Sequence, residues 1–439
     1  MTTPARIERN LPGILGDLSA APTPDYLDDV FARTGRTRQR PSWTFPERWL
    51  PMADITRARA FAPAPPWRLI AVGLVALALV LAALIYAGSQ QHRVPAPFGP
   101  ARNGLIPFAS NGDIYVGDPV SGQVRALTQG PDADSSPETS PDGTRVAFAR
   151  TVSSTSTNVF VVNVDGSGLH AVTSQPIDQL SWGGWAPDGR HLALIHGVDG
   201  TVDQCATTLC DLNELDMVDV TSSAPAVKVA TIRGLSYVQF RPPDGRQLLY
   251  RALVDGNWGL FAMDPDGSNV QTIVPPTVPG GMDVTFASAV YTPDGSRIFY
   301  NAYTQDASFG YPGCCQLFVV NADGSDNRKF VANAGDTWDG DAAVSPDGKR
   351  IVFWHNLPNQ STHRVTVVSA DGTGQPVQTG PALPGTAHWI WSPDGTKILM
   401  FPDGIDSGSG LLLDPAGGRW QNLPWVSTGD LDWQRLAPN

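Results

Sequence analysis

The four cysteines are the residues whose type and spacing point most directly to a reaction. Cys205 and Cys210 enclose four residues, whereas Cys314 and Cys315 are adjacent. Outside a membrane such thiols tend to oxidise, so we expect a Cys205–Cys210 disulfide that closes a short loop. For the second pair three arrangements are open: a strained vicinal disulfide, cross-links to the first pair, or two unmodified loop thiols. Four thiols would also suit a zinc site by number, but two adjacent cysteines lack the spacing of a zinc motif.

The sequence contains no recognisable set of residues for hydrolysis or for phosphate binding. The hydrolase domain of a prolyl-oligopeptidase-type peptidase needs a Gly-x-Ser-x-Gly pentapeptide, which does not occur here. None of the seven histidines forms His-x-x-x-His or lies beside a cysteine. No glycine-rich phosphate loop precedes a predicted helix. We therefore predict no catalytic residue, no metal ligand and no bound cofactor.

Six of the eight Pro-Asp-Gly tripeptides in the chain recur in register, at intervals of 46, 56, 50, 53 and 47 residues. Asp-Gly is a strong hairpin signal, because glycine adopts a positive φ without strain and aspartate bonds the backbone of its own turn. Calcium ligation by these acids would need a denser alternation of oxygen ligands. We therefore assign a structural turn role to Asp142, Gly143, Asp188, Gly189, Asp244, Gly245, Asp294, Gly295, Asp347, Gly348, Asp394 and Gly395.

Each tripeptide is followed by two apolar segments of strand length, such as residues 145–149 and 159–162. Because these segments are apolar almost throughout, both of their faces must be covered, as they are when the blades of a propeller stack. A period near 40–50 residues with strand-like contents also indicates a propeller. The strand–(Ser/Thr)-Pro-Asp-Gly–strand repeat resembles the WD40-like repeat of the TolB type over residues 104–435. The resemblance implies an all-β propeller of four-stranded antiparallel blades.

The number of blades depends on the two ends of the repeat region. Before the first tripeptide, residues 105–109, 113–116 and 124–127 look like second, third and fourth strands without a first. After the last repeat, residues 429–435 offer a strand of first-strand character with no turn behind it. One composite blade would use both ends and leave no open sheet edge. We therefore predict a seven-bladed propeller; the alternative has six blades, with residues 104–128 as an irregular plug.

Several aromatic residues and one histidine lie in or beside predicted first strands, which line the central channel of a propeller. Such rings pack between blades more often than they bind a ligand, and a lone histidine is usually packed or solvated. We name no ligand-binding residue among them: Trp182, Trp185, Trp338, Trp389, Trp391 and His388.

Residues 69–87, LIAVGLVALALVLAALIYA, form an apolar run without charge or proline. A helix of this length at ~1.5 Å per residue is about 28 Å long, close to one hydrocarbon core. A cleaved signal peptide is a poor alternative, because 68 residues precede the run and Ile85 stands where a small residue is required. We predict a retained transmembrane signal anchor, followed by a linker over residues 88–103.

The charge distribution predicts the orientation of this anchor. Residues 1–68 contain ten arginines, no lysine and seven acidic residues, whereas the chain as a whole has a net charge of −12. Basic flanks remain in the cytoplasm. We therefore predict a cytoplasmic leader over residues 1–68 and an extracytoplasmic propeller on a bacterial cytoplasmic membrane. The acidic outer portion argues against nucleic acid as its partner.

The leader is rich in proline and too short for a core of its own, so we expect it to be partly helical and partly disordered. An apolar stripe follows the helix start Thr23-Pro24-Asp25, and arginines with tryptophans come next. Two interpretations are open: docking of a cytoplasmic protein on the stripe, or contact of the basic part with lipid. The leader resembles, over about forty residues, those of bacterial membrane proteins associated with extracytoplasmic-function sigma factors. The docking candidates are Tyr26, Leu27, Val30 and Phe31.

These features predict a non-enzymatic, membrane-anchored envelope protein. Its propeller would bind a protein, peptide or glycan ligand as a sensor or scaffold. The resemblance of the leader implies a cytoplasmic partner of the sigma-factor type. The alternative is a propeller enzyme, a hydrolase or lyase, whose channel site no sequence motif reveals. Fold class does not decide between the two, because propellers host both.

Overall fold

The computed structural model describes residues 73–77, 95–154, 156–198, 212–222, 224–276, 282–304, 316–330, 338–356, 363–383, 387–402, 410–427 and 430–437. The chain divides into two compact units, Met1–Gln91 and His92–Asn439. In the first unit residues 73–77 are helical. No helix within the described residues is both long and apolar enough to span a bilayer. The rest of the predicted span 69–87, the leader stripe and all four cysteines lie outside the described residues.

The second unit is an all-β propeller of seven blades, as predicted. In blades 2 to 7 the described strands form antiparallel sheets that pair in chain order, and an additional short strand, Ile177–Asp178, joins blade 2. The strands of these blades are Asp134–Thr139, Arg145–Thr151, Ser156–Asn163 and His170–Ala171 in blade 2; Ser181–Trp185, His191–Gly197, Leu212–Asp219 and Val227–Arg233 in blade 3; Val238–Phe240, Leu248–Val254, Asn257–Met263 and Gln271–Val274 in blade 4; Met282–Tyr291, Arg297–Thr304, Gln316–Asn321 and Arg328–Lys329 in blade 5; Trp338–Val344, Arg350–Asn356, His363–Ser369 and Val377–Leu383 in blade 6; and Ala387–Trp391, Ile398–Pro402, Leu411–Leu413 and Trp420–Asn422 in blade 7.

Apolar side chains pack between neighbouring blades, and each of the seven interfaces has a cluster of buried residues within the described part of the chain. The second strand of blade 2 shows the arrangement. Val146 and Phe148 face blade 1, whereas Ala147 between them faces blade 3. Successive side chains of a strand point to opposite faces, so a continuous apolar run fills two interfaces. Each fully buried Val or Phe side chain contributes about 1.5–3 kcal/mol.

Blade 1 is the composite blade that the sequence predicts. Its outer strands are Ile106–Ser110, Asp113–Gly117 and Val124–Ala126. The innermost position is occupied by residues 430–436, which we call the closing strand; they include the short strand Arg435–Leu436, and Leu431 forms a β-bridge with Phe108. Its Asp432 N–H donates to the Pro107 carbonyl at 3.1 Å, and its Gln434 N–H donates to the Leu105 carbonyl at 2.9 Å. The six-bladed alternative is therefore wrong.

The segment before blade 1 is packed, although we predicted a patternless linker over residues 88–103. Residues 95–101, which we call the entry segment, contact the propeller, and Arg102–Asn103 pairs with Arg435–Leu436 of the closing strand. The Ala101 N–H donates to the Pro393 carbonyl in the last turn of the ring at 2.8 Å. These contacts are made mainly by backbone groups, which leave no pattern in the sequence.

The six Pro-Asp-Gly turns that join first and second strands share one geometry. In each, the aspartate carboxylate accepts the backbone N–H two residues later at 2.8–3.2 Å. Each turn glycine has a φ of +63° to +70°, which glycine adopts without the strain of a side chain. The aspartate carboxylates of these turns therefore stabilise the hairpins.

The outer hairpin of blade 3 lacks the Asp-Gly dipeptide that the outer hairpins of blades 2, 4, 5 and 6 contain. The structure forms it, because Leu212–Asp219 pairs with Val227–Arg233. Asp219 accepts the Thr221 N–H at 2.9 Å and the Thr221 hydroxyl at 2.7 Å. In blade 2, Asp165 accepts the same two bonds from Ser167. The aspartate with a hydroxyl two residues later therefore closes this turn without glycine.

Neighbouring turns are also bonded to one another. A long side chain from one blade donates to the carbonyl of the turn glycine in the next blade. In blade 1 this side chain comes from the closing strand: Gln434 Nε2 donates to the carbonyl of Gly143, in the turn of blade 2, at 2.6 Å. The other pairs are Arg145 with Gly189, Arg241 with Gly295, and Arg350 with Gly395.

The contact between the closing strand and the first turn yields a testable prediction. In Gly143→Ala the new Cβ would lie 2.0 Å from the Arg435 carbonyl oxygen, whereas at Gly256 the same change meets open space. Both glycines have positive φ, so both variants acquire strain of about 1–2 kcal/mol. Only Gly143→Ala also forces backbone apart, and overpacking costs about 1–3 kcal/mol more. We expect it to lower the melting temperature by several degrees more than Gly256→Ala; equal shifts would contradict the tight contact.

Candidate binding site in the central channel

A cavity of about 340 Å³ lies at the turn end of the channel, where the first strands of blades 1 to 4 converge. This volume falls at the lower end of the range for small-molecule pockets, roughly 300–1,000 Å³. Five of the fifteen residues that line the cavity are aromatic, and three are charged. The aromatic residues are Phe98, Trp185, Tyr237, Phe240 and Trp433, and the charged residues are Glu138, Asp432 and Arg435.

The entry segment covers one side of this cavity. Pro97 and Phe98 line it, and Phe98 packs against the apolar cluster between blades 3 and 4. The Arg435 guanidinium donates to two carbonyl groups of the segment, at 3.0 and 2.6 Å. Burial lowers the pKa of Arg435. The closing strand therefore holds the entry segment against the channel through a charge-assisted contact.

Glu138 is the most perturbed acid of the cavity. It lies in the first strand of blade 2, and its Oε1 accepts the Trp185 N–H at 3.4 Å. Burial, together with the negative charge of Asp432, raises the pKa of Glu138 to about 8. The carboxyl is therefore mostly protonated at neutral pH. A cation placed beside it would favour the ionised form.

Three polar side chains connect the first strand of one blade to that of the next by the same kind of bond. Each accepts a backbone N–H across the blade boundary. Gln239 accepts from Tyr291 at 2.9 Å. Because the neutral amide of Gln239 makes this bridge at a normal distance, bridging blades does not require a charge. The two acidic members are Asp432, which accepts from Thr139 at 2.6 Å, and Glu138, which accepts from Trp185.

The tryptophans of the first strands pack between blades, as expected. Trp185, Trp389 and Trp391 are only 6–8% exposed, and the Trp391 indole N–H donates to the Ala343 carbonyl of blade 6 at 3.0 Å. Trp185 also lines the cavity. His388 is exposed and lies beside the Phe401 ring. The side chain of Trp338 lies outside the described residues.

Sequence reasoning missed Glu138 and Asp432 as members of one site. The available signal was their position, because both are acids in first strands and outside any Pro-Asp-Gly turn. The predicted composite blade places residues 429–435 next to blade 2, but the sequence does not show which side chains of the two first strands reach one cavity. Ring closure brings the two acids to one cavity.

A second polar cluster lies on blade 3, where ligand atoms of His196, Glu214 and Asp216 lie within 4.8 Å of one another. The His196 Nε2 contacts Asp216 Oδ2 at 3.1 Å, and this hydrogen bond raises the pKa of His196. Lys228 pairs with Glu214. The imidazole, whose protonated form the hydrogen bond to Asp216 favours, and the ammonium group of Lys228 thus lie beside two carboxylates. This arrangement favours a structural ion-pair network over a metal centre.

The raised pKa of Glu138 predicts a pH-dependent effect of Glu138→Gln. An unfolded glutamate loses its proton near pH 4.5, whereas folded Glu138 keeps it up to about pH 8. Its contribution to stability is therefore complete below pH 4.5 and is lost as the pH rises through 8. Glutamine keeps the bridge and has no proton to lose. We expect the melting temperature of the variant, relative to the wild type, to be higher at pH 9 than at pH 4.5; a difference that does not change with pH would contradict the shift.

None of the protein-family models matches this chain, and neither does any curated protein. Solved structures with a similar fold include an oligogalacturonate lyase from Vibrio parahaemolyticus, 15% identical, with 74% of this chain and 90% of that chain covered and a TM-score of 0.54. A prolyl endopeptidase is also 15% identical, with 77% of this chain but only 50% of that chain covered and a TM-score of 0.51. TolB from Acinetobacter baumannii is 17% identical, with 75% and 81% covered and a TM-score of 0.45. At these identities the likeness shows the propeller fold alone.

Proposed function

We propose that this protein is a non-enzymatic binding protein of the bacterial envelope that holds its ligand in the channel cavity. One observation carries the proposal: aromatic walls and a few convergent polar groups surround a cavity of about 340 Å³. This combination is typical of ligand sites. The apolar run 69–87 would anchor the chain, with the leader in the cytoplasm and the propeller outside.

The position of the entry segment supports a sensor role. This segment follows the apolar run in the sequence, and its Pro97 and Phe98 line the cavity. A ligand in the cavity would therefore contact the part of the chain that leads to the membrane anchor. The stripe of Tyr26, Leu27, Val30 and Phe31 would then present the signal to a cytoplasmic partner.

An enzymatic function is the second candidate, and the paired carboxyl groups favour it. Glu138 and Asp432 line one cavity, and a protonated acid beside a second carboxyl group is an arrangement used in general acid–base catalysis. We favour binding because both groups also accept a backbone N–H across a blade boundary.

The first prediction of this proposal concerns topology. With an epitope tag at each end, protease added to intact spheroplasts should remove the C-terminal tag and spare the N-terminal tag. The physical reason is the arginine-rich leader, which resists translocation. Loss of the N-terminal tag with protection of the propeller would overturn the orientation.

The second prediction concerns the cavity and uses the full chain in lipid nanodiscs. Peptide, protein and oligosaccharide fractions of the source envelope are added, and the melting temperature is measured. A ligand present at 100 times its Kd stabilises the folded state by about 2.7 kcal/mol, so one fraction should raise the melting temperature by several degrees. Pro97→Trp, which places an indole in the cavity, should abolish the shift.

The matched control is Pro100→Trp, because Pro100 is an exposed residue of the same segment and does not line the cavity. It should respond as the wild type does. Equal stabilisation of the wild type, Pro97→Trp and Pro100→Trp would mean that the ligand binds outside the cavity. Consumption of the ligand by the wild type, but not by Glu138→Gln, would favour the enzyme over the binding protein.

A further inference from the structure

We propose that the channel cavity recognises an organic ammonium group, such as a peptide amino terminus or a lysine side chain. The inference rests on the proposed function, because it takes the cavity as the ligand site. It adds the chemical class of the ligand. Three observations support it: the charged residues of the cavity, the hydrogen bonds that connect neighbouring blades, and the aromatic residues that line the cavity.

The first argument is the balance of charged groups. Glu138, Asp432 and Arg435 are the charged side chains that line the cavity. The arginine is engaged, because one of its amino groups donates to two carbonyl oxygens of the entry segment. With both acids ionised the cavity carries a net negative charge. A cationic ligand group would neutralise it.

The second argument compares the acids with a residue in an equivalent role. Gln239 also lines the cavity and also bridges two blades, yet it carries no charge. The Glu138 bridge is the longer one, 3.4 Å against 2.9 Å for Gln239. The structural bond therefore does not explain a carboxyl group at position 138. A cationic ligand does explain it, because it stabilises the ionised form of the acid.

The third argument is the aromatic wall, which selects the kind of cation. Aromatic faces attract organic cations within about 6 Å of the ring centroid. A hard metal ion such as Ca²⁺ takes six to eight oxygen ligands, whereas two carboxyl groups line this cavity. The rings Trp185, Tyr237 and Trp433 beside these carboxyl groups suit an ammonium group attached to carbon.

Proton linkage follows from the same geometry. Asp432, Arg435 and Tyr237 are the titratable and charged groups that line the cavity with Glu138. Burial and Asp432 raise the pKa of Glu138 to about 8. A bound ammonium group lowers this pKa again, because it favours the carboxylate. Binding at neutral pH should therefore release a proton from Glu138. For a lysine side chain, which keeps its own proton to about pH 10, binding should also strengthen as the pH rises through 8.

The test uses the peptide Lys-Ala-Ala and its doubly acetylated form, which removes both ammonium groups. The full chain in nanodiscs is titrated by calorimetry at pH 7, where both amino groups of the peptide are mostly protonated, in two buffers with different ionisation heats. We expect acetylation to weaken binding at least tenfold and the free peptide to release a proton. Glu138→Gln and Asp432→Asn should each weaken binding of the free peptide at least fivefold. The control Asp326→Asn removes an exposed carboxylate outside the cavity and should bind as the wild type does.

The outcomes separate this inference from the proposed function. Equal affinity for the two peptides overturns the ammonium inference. So does failure of the wild type to bind either peptide, or unchanged affinity in both cavity variants. In each of these cases the proposed function stands if an envelope fraction still stabilises the wild type and not Pro97→Trp. If Pro97→Trp responds to the fractions as the wild type does, the cavity is not the ligand site and both proposals fail.

Discussion

The pairing of the closing strand with the start of blade 1 is the constraint on which the ring depends. A blade of this propeller is apolar on both faces, so it is stable only when a neighbour covers each face. Leu431 and Trp433 of the closing strand are 3–5% exposed. They belong to the cluster that joins blade 1 to Leu399 and Leu412 of blade 7. Without this strand the two ends of the array would leave apolar surface and unpaired backbone groups in water.

The same strand lines the candidate site, so ring closure and the cavity share residues. Asp432, Trp433 and Arg435 line the cavity, and Gln434 between them bonds the first turn of the ring. Arg435 also holds the entry segment. A change in the cavity therefore reaches both the ring closure and the segment that leads to the apolar run.

Two groups of acids contrast in the described part of the chain. Three acids of the outer Asp-Gly hairpins have lowered pKa values, because the serine two residues later donates its hydroxyl and its N–H to the carboxylate. Glu138 has a raised pKa because burial and Asp432 disfavour its charge. A carboxylate that is fully bonded in its own turn has little affinity left for a ligand. Glu138, which accepts one long hydrogen bond, can still interact with a ligand. The outer-hairpin acids are Asp165, Asp266 and Asp323.

The sequence determined the repeat, the turn geometry and the number of blades. Asp-Gly chemistry and apolar strand runs are local properties, and the three strands before the first repeat and the one strand after the last could be counted without coordinates. The hairpin at Asp219 was less certain, because a turn closed by Thr221 carries no glycine signal. The tertiary structure alone decided the site. Thr139 and Asp432, 293 positions apart, become bonded only when the ring closes, and the entry segment is placed by backbone bonds. Neither kind of contact leaves a local pattern of residue types, so neither could be predicted from the chain.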